Sequence, residues 1–159
     1  MNTKHWTDLL VRLNACPEAV EWARGYRSLA AAWAACERGD WMLWLAARLS
    51  GRPGSKSRRL VVLAAADCAA TALQYVREGE TRPAKCVGLC QRYGRGDAGV
   101  TLAQVSAAWA DAGAAWADAW AGVAWAAEAA EAAALHDHAD IVRGHYPRAP
   151  RAPRARRVP

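Results

Sequence analysis

The side chains with the greatest potential for chemistry in this chain are two aspartates and three histidines. Asp40 and Asp67 stand among apolar residues, and His136, His138 and His145 follow near the C-terminus. A carboxylate beside an imidazole could carry out general acid–base catalysis if the two groups met in one pocket. No serine or cysteine nucleophile stands in a known motif beside these histidines. The pattern therefore favours structural roles, with Asp40 as a helix cap and the histidines at the surface or at helix ends.

Asp67 interrupts the segment Leu60–Val76, which is apolar nearly all round and predicts the central buried helix. A buried carboxylate is costly unless it is hydrogen-bonded or paired. A tryptophan N–H, Arg38 or Arg92 could supply that partner. We predict that Asp67 is a structural buried acid, and a functional acid is the alternative because perturbed groups cluster at functional sites.

Two cysteines, Cys86 and Cys90, lie one turn apart on a helix predicted from Arg82 to about Tyr93. A zinc site would need two more ligands, and a helical CxxxC with an HxH pair matches no standard zinc spacing. We therefore predict no metal, no cofactor and no enzymatic activity. The odd total of five cysteines indicates free thiols used as small core residues, in a protein of a reducing, cytoplasmic compartment.

Alanine and tryptophan dominate the proline-free stretch Thr101–Leu135. Alanine is the best helix former, and Thr101 with Gln104 forms a capping-box start. We predict one long amphipathic helix, or two helices joined near Gly113 or Gly122, whose indoles pack in the core, bind a partner or meet in a homodimer. Its apolar stripe recurs at spacings of three and four: Leu102, Val105, Trp109, Ala112, Trp116, Trp120, Val123 and Ala127.

Helix signals fill the remaining chain, so the predicted fold is all-α. Residues 1–146 are expected to form a single domain, a compact bundle of about six to seven helices including the long Ala/Trp-rich one. Its core must be built from leucine, valine, alanine and indoles, because the chain has nine tryptophans and no phenylalanine. No 18-residue apolar run is free of charges, which argues against a membrane span.

The segment 147–159 differs from the rest, because it repeats Arg-Ala-Pro and contains no acid. Proline at every third residue prevents a helix and predicts a disordered or extended polyproline II tail. Such a tail either only aids solubility or docks to an acidic protein surface or to phosphates. It carries no aromatic residue for base stacking, which argues against specific nucleic-acid readout. Its arginines are Arg148, Arg151, Arg154, Arg156 and Arg157.

The segment RGDWMLW, residues 38–44, and the following helix that contains Asp67 and Cys68 form a distinctive combination. Together with three further segments, they resemble the bacterial immunity protein family of the Imm5 type. Many members, from high-GC bacteria and their phages, also carry an alanine-rich repeat, as residues 101–135 do here. The tail departs from the family pattern. The resembling segments are residues 15–24, 32–49, 60–76, 79–86 and 139–147.

The resemblance implies an all-α, non-enzymatic inhibitor that binds and neutralises a partner toxin or effector. Phage-borne relatives would equally suit inhibition of a host defence system. The abundance of tryptophan, which is enriched at binding hot spots, favours protein binding as well. A nucleic-acid-associated protein that uses the tail with Arg58 and Arg59 is the alternative of another class. The residues predicted to contact the partner are Arg38, Asp40 and Trp41, together with the five tail arginines.

Overall fold

A computed structural model describes residues 5–124 and 128–151 of this chain. Over these residues the chain forms eight α-helices and one 3-10 helix, with no strand, so the predicted all-α class is confirmed. The helices in chain order are α1 (Asp8–Arg12), α2 (Pro17–Arg24), α3 (Leu29–Ala35), α4 (Gly39–Leu49), α5 (Lys56–Ala70), the 3-10 helix (Thr71–Tyr75), α6 (Arg82–Arg95), α7 (Leu102–Ala124) and α8 (Glu128–His145).

Local sequence signals set several of these helix starts. Ser28, a residue type favoured at helix starts, caps α3 by accepting a hydrogen bond from the Ala31 N–H at 3.2 Å. Pro17 occupies the first position of α2, where no N–H donor is needed. The predicted capping box at α7 also forms, because the Thr101 N–H donates to Gln104 Oε1 at 2.8 Å and the Gln104 N–H donates to Thr101 Oγ1 at 3.3 Å.

The predicted boundaries of the Ala/Trp-rich region change in the structure. The described part of α7 ends at Ala124, and residues 125–127 lie outside the described chain. Helical spacing also continues over residues 135–145, after the Ala/Trp-rich stretch, and predicts a separate short helix there. This prediction is wrong, because α8 runs continuously from Glu128 to His145. The stretch contains no proline, and its alanines favour an unbroken helix.

The buried face of α7 also differs from the predicted stripe. Val105 and Ala112 are buried as expected, but Leu102 is 44% exposed and Trp109 is 59% exposed. Ala112 packs against α6, and this close approach leaves no room for an indole on the inner face. The predicted stripe is therefore wrong at Leu102 and Trp109, while the side chains of Trp116, Trp120, Val123 and Ala127 lie outside the described residues.

The helices pack around two hydrophobic clusters. The larger cluster joins the N-terminal helices to α5 and α8, with Trp33 and Met42 among its buried members. The smaller cluster joins the 3-10 helix to α6 and α7 through Ala72, Cys86, Val87 and Ala112. Because α5 packs on both α6 and α8, it forms the shared wall between them, so its predicted central place is correct. The prediction of one buried helix over Leu60–Val76 is wrong, because the α-helix ends at Ala70 and residues such as Ala65 and Gln74 are exposed.

Two glycines allow neighbouring helices to approach closely. A Cβ on Gly94 of α6 would lie 2.5 Å from the Leu63 Cβ of α5. A Cβ on Gly39, at the start of α4, would collide with His138 Cβ and with the backbone of α8. Glycine at these two positions therefore sets the separation of α5 from α6 and of α4 from α8.

The chain leaves α8 after His145 and continues without regular secondary structure to Arg151. Arg154, Arg156 and Arg157 of the predicted tail lie outside the described residues. None of the helices in the described ranges combines the length and the apolar character that crossing a lipid bilayer requires.

Candidate functional site

A groove of about 610 Å³ lies between α1, α2, α3 and α4. That volume falls within the range of known ligand-binding cavities, which are lined mostly by apolar and aromatic side chains with a few polar groups. This Trp-lined groove has five indoles in its wall: Trp6, Trp22, Trp33, Trp41 and Trp44.

Hydrogen bonds and ring contacts fix several of these aromatic side chains. The Trp6 Nε1–H donates to the Tyr26 carbonyl at 2.7 Å, and the Trp33 Nε1–H donates to the Tyr146 carbonyl at 3.0 Å. The Trp22 ring lies 4.6 Å from the Tyr26 ring and meets the Trp41 ring edge-on at 5.8 Å. Because edge-to-face pairs are favourable in this distance range, the aromatic wall is held in a defined arrangement.

A charged cluster lies at the edge of the groove. The Arg38 guanidinium donates to both carboxylate oxygens of Asp40, at 2.9 and 2.8 Å, and lies 3.7 Å from Glu18 Oε1. The same guanidinium lies 4.4 Å from the centre of the Trp41 ring, within cation–π range. Arg38 therefore links the acidic side chains to the aromatic wall.

These contacts shift the protonation equilibria of both partners. The hydrogen bond to Asp40 is the main cause that raises the pKa of Arg38. Burial alone would raise the pKa of Asp40, but the hydrogen bond and charge of Arg38 outweigh burial and hold that pKa below its ordinary value. The pair is consequently an ion pair at neutral pH.

The predicted cap role of Asp40 needs a correction. The N-cap position of α4 is Arg38, and it makes no side-chain capping bond. Asp40 lies one residue inside the helix, in the first turn, where a negative charge favours the positive end of the helix dipole. Its carboxylate faces Arg38 because bidentate pairing with a guanidinium is the stronger interaction.

Three of the predicted partner-binding residues, Arg38, Asp40 and Trp41, come together at this groove. The sequence analysis missed Glu18 and Trp22, which bring α2 to the same site. Their spacing of four residues places them on one face of a helix, so the PEAVEW segment did contain the signal. Of the predicted tail residues, Arg148 and Arg151 are exposed and do not line the groove.

The predicted partners of Asp67 are wrong. Its Oδ1 accepts a hydrogen bond from Gln91 Nε2 at 2.8 Å, and its Oδ2 lies 2.7 Å from His145 Nε2. Arg92 instead lies beside Asp97, at 3.7 Å. Asp67 is half-buried between α6 and α8, so it is less enclosed than the sequence predicted. Each of its carboxylate oxygens has a polar partner.

The histidines occupy three different environments. His136 is exposed, as predicted, and lies 3.9 Å from both Glu37 and Asp140. His138 Nε2 lies 2.9 Å from Thr71 Oγ1, and burial lowers the pKa of His138. His145 is the last residue of α8, which agrees with the predicted helix-end position, but its side chain is partly buried against Asp67 and does not lie free at the surface.

The structure brings one carboxylate–imidazole pair together, Asp67 and His145 at 2.7 Å, but it does not place Asp40 in the same pocket as this pair. Asp40 lines the groove, whereas Asp67 and the described histidines do not. Within residues 5–124 and 128–151, no three histidine, cysteine, aspartate or glutamate side chains lie close enough to hold a metal ion.

The five cysteines are free thiols. Cys36, Cys68 and Cys86 are buried, and burial raises the pKa of each thiol, to about 12 for Cys68. Cys90 is partly buried, and burial raises its pKa to about 12 as well. The predicted core location is wrong for Cys16, which is exposed in the wall of the groove and offers an accessible thiol there.

Comparison with known proteins does not assign this chain to a family. No family model, curated protein or solved structure matches it. The resemblance to immunity proteins therefore stays a prediction. Function is to be inferred from the geometry and charge of the Trp-lined groove.

Proposed function

We propose that this chain is a non-enzymatic, immunity-type inhibitor that binds a partner toxin or effector protein through the Trp-lined groove. The observation that carries the proposal is the convergence of five indoles with the Arg38–Asp40 pair in one cavity. Tryptophan and arginine are the residue types most enriched at binding hot spots. In this proposal Trp41 supplies apolar contact area, and Arg38 and Asp40 orient the partner.

The distribution of polarity supports a protein as the occupant. The centre of the groove is aromatic, while Glu18 at its edge is 73% exposed and Asp40 is 45% exposed. An apolar centre within a polar, solvent-accessible rim is the usual anatomy of a protein interface. The cavity volume of about 610 Å³ provides room for bulky side chains of a partner.

The inhibitory role rests on the resemblance to immunity proteins. A phage-encoded inhibitor of a host defence component would use the groove in the same way, and the identity of the partner distinguishes the two roles. A second copy of this chain in the groove would instead produce a homodimer with no other protein bound.

Site-directed cross-linking tests the proposal. The exposed thiol of Cys16 takes a benzophenone label at the groove, and irradiation in host extract captures whatever protein binds there. The matched control is the double variant Cys16→Ser/Ala98→Cys, which moves the label to an exposed residue outside the groove. We expect one protein to be captured from Cys16 and not from residue 98.

The captured protein is then expressed with and without this chain. We expect it to arrest growth alone and to be relieved by co-expression of the intact chain. Trp41→Ala should raise the Kd by about 30-fold or more, the equivalent of a hot spot of about 2 kcal/mol. Trp109→Ala removes an equally large but exposed indole outside the groove and should change the Kd less than about threefold.

Three results would refute the proposal. They are equal cross-linking from both label positions, growth relief that survives both Arg38→Ala and Trp41→Ala, and covalent modification of the captured protein by this chain. The first two would remove the groove as the binding site, and the third would make the chain an enzyme.

A further inference from the structure

Three segments that carry basic residues meet at the end of the molecule where α5 begins. They are the loop before α5 with its first turn, the end of α6, and the chain that follows α8. This surface, the basic end, consists of Arg52, Lys56, Arg58, Arg59, Arg95, Arg148 and Arg151.

Direct contacts hold two of these segments against α5. The Tyr146 hydroxyl donates to the Ser57 carbonyl at 3.4 Å, which places the start of the C-terminal segment beside the first turn of α5. On the α6 side, a Cβ on Gly96 would lie 3.2 Å from Arg59 Nη1. Gly96 has a φ of +86°, a left-handed conformation that ends α6 and favours glycine. The absence of a side chain at Gly96 also leaves room for the Arg59 guanidinium beside this turn.

The loop that precedes α5 is folded back onto the helix. The Gly51 N–H donates to Ser57 Oγ at 3.0 Å, and Arg58 Nε donates to the Gly51 carbonyl at 3.3 Å. These bonds close the loop, so that exposed Arg52 and Lys56 lie at the same end of the molecule as Arg58.

The charges of the basic end are mostly unneutralised. Among the residues that the structure describes, no carboxylate forms an ion pair with six of its seven members, and Arg95 alone lies near an acid, Asp97, at 3.9 Å. Arg59 Nε is buried and has no hydrogen-bond partner within the described chain. By contrast, Arg24, Arg38, Arg82 and Arg143 each pair with a glutamate or an aspartate.

We infer that the basic end binds the phosphodiester backbone of a nucleic acid. Six of its seven members are arginines, whose planar guanidinium donates to phosphate oxygens in a bidentate manner. After Arg151 the sequence supplies three more arginines, Arg154, Arg156 and Arg157, and no acid. This surface is separate from the Trp-lined groove, so the inference goes beyond the proposed inhibitory function.

An anionic lipid surface fits these observations less well. Interfacial membrane binding adds insertion of apolar side chains to the attraction of charges. The large exposed hydrophobic residues of the described chain are Val11, Tyr75, Leu102 and Trp109, and none belongs to the three segments of the basic end. The same segments offer no exposed aromatic ring for base stacking, so binding should be independent of sequence.

Fluorescence anisotropy with a labelled DNA duplex of about 30 base pairs and mixed sequence tests the inference. We expect a Kd between about 1 and 100 µM at about 0.15 M salt. The logarithm of the binding constant should fall linearly with the logarithm of the salt concentration, and the slope of that line is the salt slope. The triple variant Arg52→Gln/Arg58→Gln/Arg148→Gln should weaken binding about tenfold or more and reduce the salt slope by about two to three.

The matched control removes the same charge elsewhere. Arg12→Gln/Arg24→Gln/Arg27→Gln substitutes three exposed arginines of the N-terminal region and should change the Kd less than about threefold, with the slope unchanged. The double variant Arg52→Gln/Arg148→Gln leaves the Arg58 bond to Gly51 intact, and it should still lower the slope by about two. Trp41→Ala should bind the duplex as the unmodified chain does.

Four outcomes would overturn the inference. They are no binding at about 100 µM duplex, equal weakening by both triple variants, strong preference for one DNA sequence, and tighter binding to equimolar phosphatidylcholine–phosphatidylserine vesicles than to duplex or single-stranded DNA and RNA. The last would assign the basic end to a lipid surface. Loss of duplex binding without loss of partner capture at Cys16 would refute this inference and leave the proposed inhibitory function standing.

Discussion

The region formed by α1–α4 and the region formed by α5–α7 pack with side chains of opposite size, large indoles in the first and small residues in the second. In the first, five indoles converge on short helices and leave a groove of about 610 Å³. In the second, longer helices meet through Ala72, Cys86, Val87 and Ala112. Small side chains let helix surfaces interlock at close distance, whereas large rigid rings on short helices cannot fill the space between them.

This difference predicts which region tolerates substitutions that enlarge a side chain. In the small-residue region, the positions at the helix contacts are fully enclosed, as Ala112 is. The groove is lined by core residues such as Trp33 and Met42 and also by partly exposed residues such as Ala19, and only the latter have space to accept a larger side chain. The proposed binding site lies in α1–α4, and the close contacts between helices lie in α5–α7.

The largest expected effect separates the two regions by overpacking. Ala112→Leu adds bulk at a fully buried position and should lower the free energy of unfolding by about 3 kcal/mol. Ala19→Leu adds the same bulk beside the groove and should change it by less than about 1 kcal/mol. Urea unfolding measures both, and equal losses would contradict the contrast between the regions.

A second comparison lies within α6. Gly94→Ala places a methyl group 2.5 Å from Leu63 Cβ, whereas nothing lies within 4 Å of a Cβ on Gly88. Alanine favours the helix by about 1 kcal/mol at either position, but overpacking costs about 1–3 kcal/mol at Gly94 alone. We expect Gly88→Ala to be more stable than Gly94→Ala by about 2 kcal/mol in thermal or urea unfolding. Indistinguishable variants would show that α5 and α6 are not tightly apposed.

The polar contacts of Asp67 connect the small-residue region to α8. Asp67→Ala leaves Gln91 and His145 without their acceptor and should destabilise the fold by about 1–2 kcal/mol. The control, Asp111→Ala, removes an exposed helical aspartate and should cost less than about 0.5 kcal/mol. An equal cost for both would mean that the Asp67 contacts contribute nothing to stability.

The smallest effect is expected at the groove. Asp40→Asn removes the ion pair with Arg38, but both side chains are more than one-third exposed, so solvent screening limits the cost to less than about 1 kcal/mol at pH 7. Because Arg38 lowers the pKa of Asp40, the contribution is present above the ordinary aspartate pKa and is lost as pH falls through the lower pKa of the folded state. Urea midpoints of the two proteins should therefore converge as the pH falls below the lowered pKa of Asp40, and a constant difference would contradict this account.

Much of the fold could be predicted because its signals are local. Ser28, Pro17 and the Thr101–Gln104 pair specify helix starts from neighbouring residues, and the alanine content specifies helices. Part of the candidate site could be predicted for the same reason, because Arg38, Asp40 and Trp41 lie within four residues of sequence and contact one another at the start of a single helix.

The contacts that the sequence analysis missed join distant segments. Trp22 reaches Trp41 only because α2 packs beside α4, and His145 reaches Asp67 across 78 residues of chain. The inward face of α7 was likewise decided by α6, whose close approach favours Ala112 over Trp109.

The sequence by itself therefore determined the all-α class, the helix starts at Ser28 and Thr101 and the chemical character of the Arg38–Trp41 segment, since each depends on residues within one or two turns. The tertiary structure decided that the indoles enclose a groove and that unpaired arginines collect at one end. Those features depend on how helices are rotated and how closely they pack, and that is set by volumes contributed from separate segments.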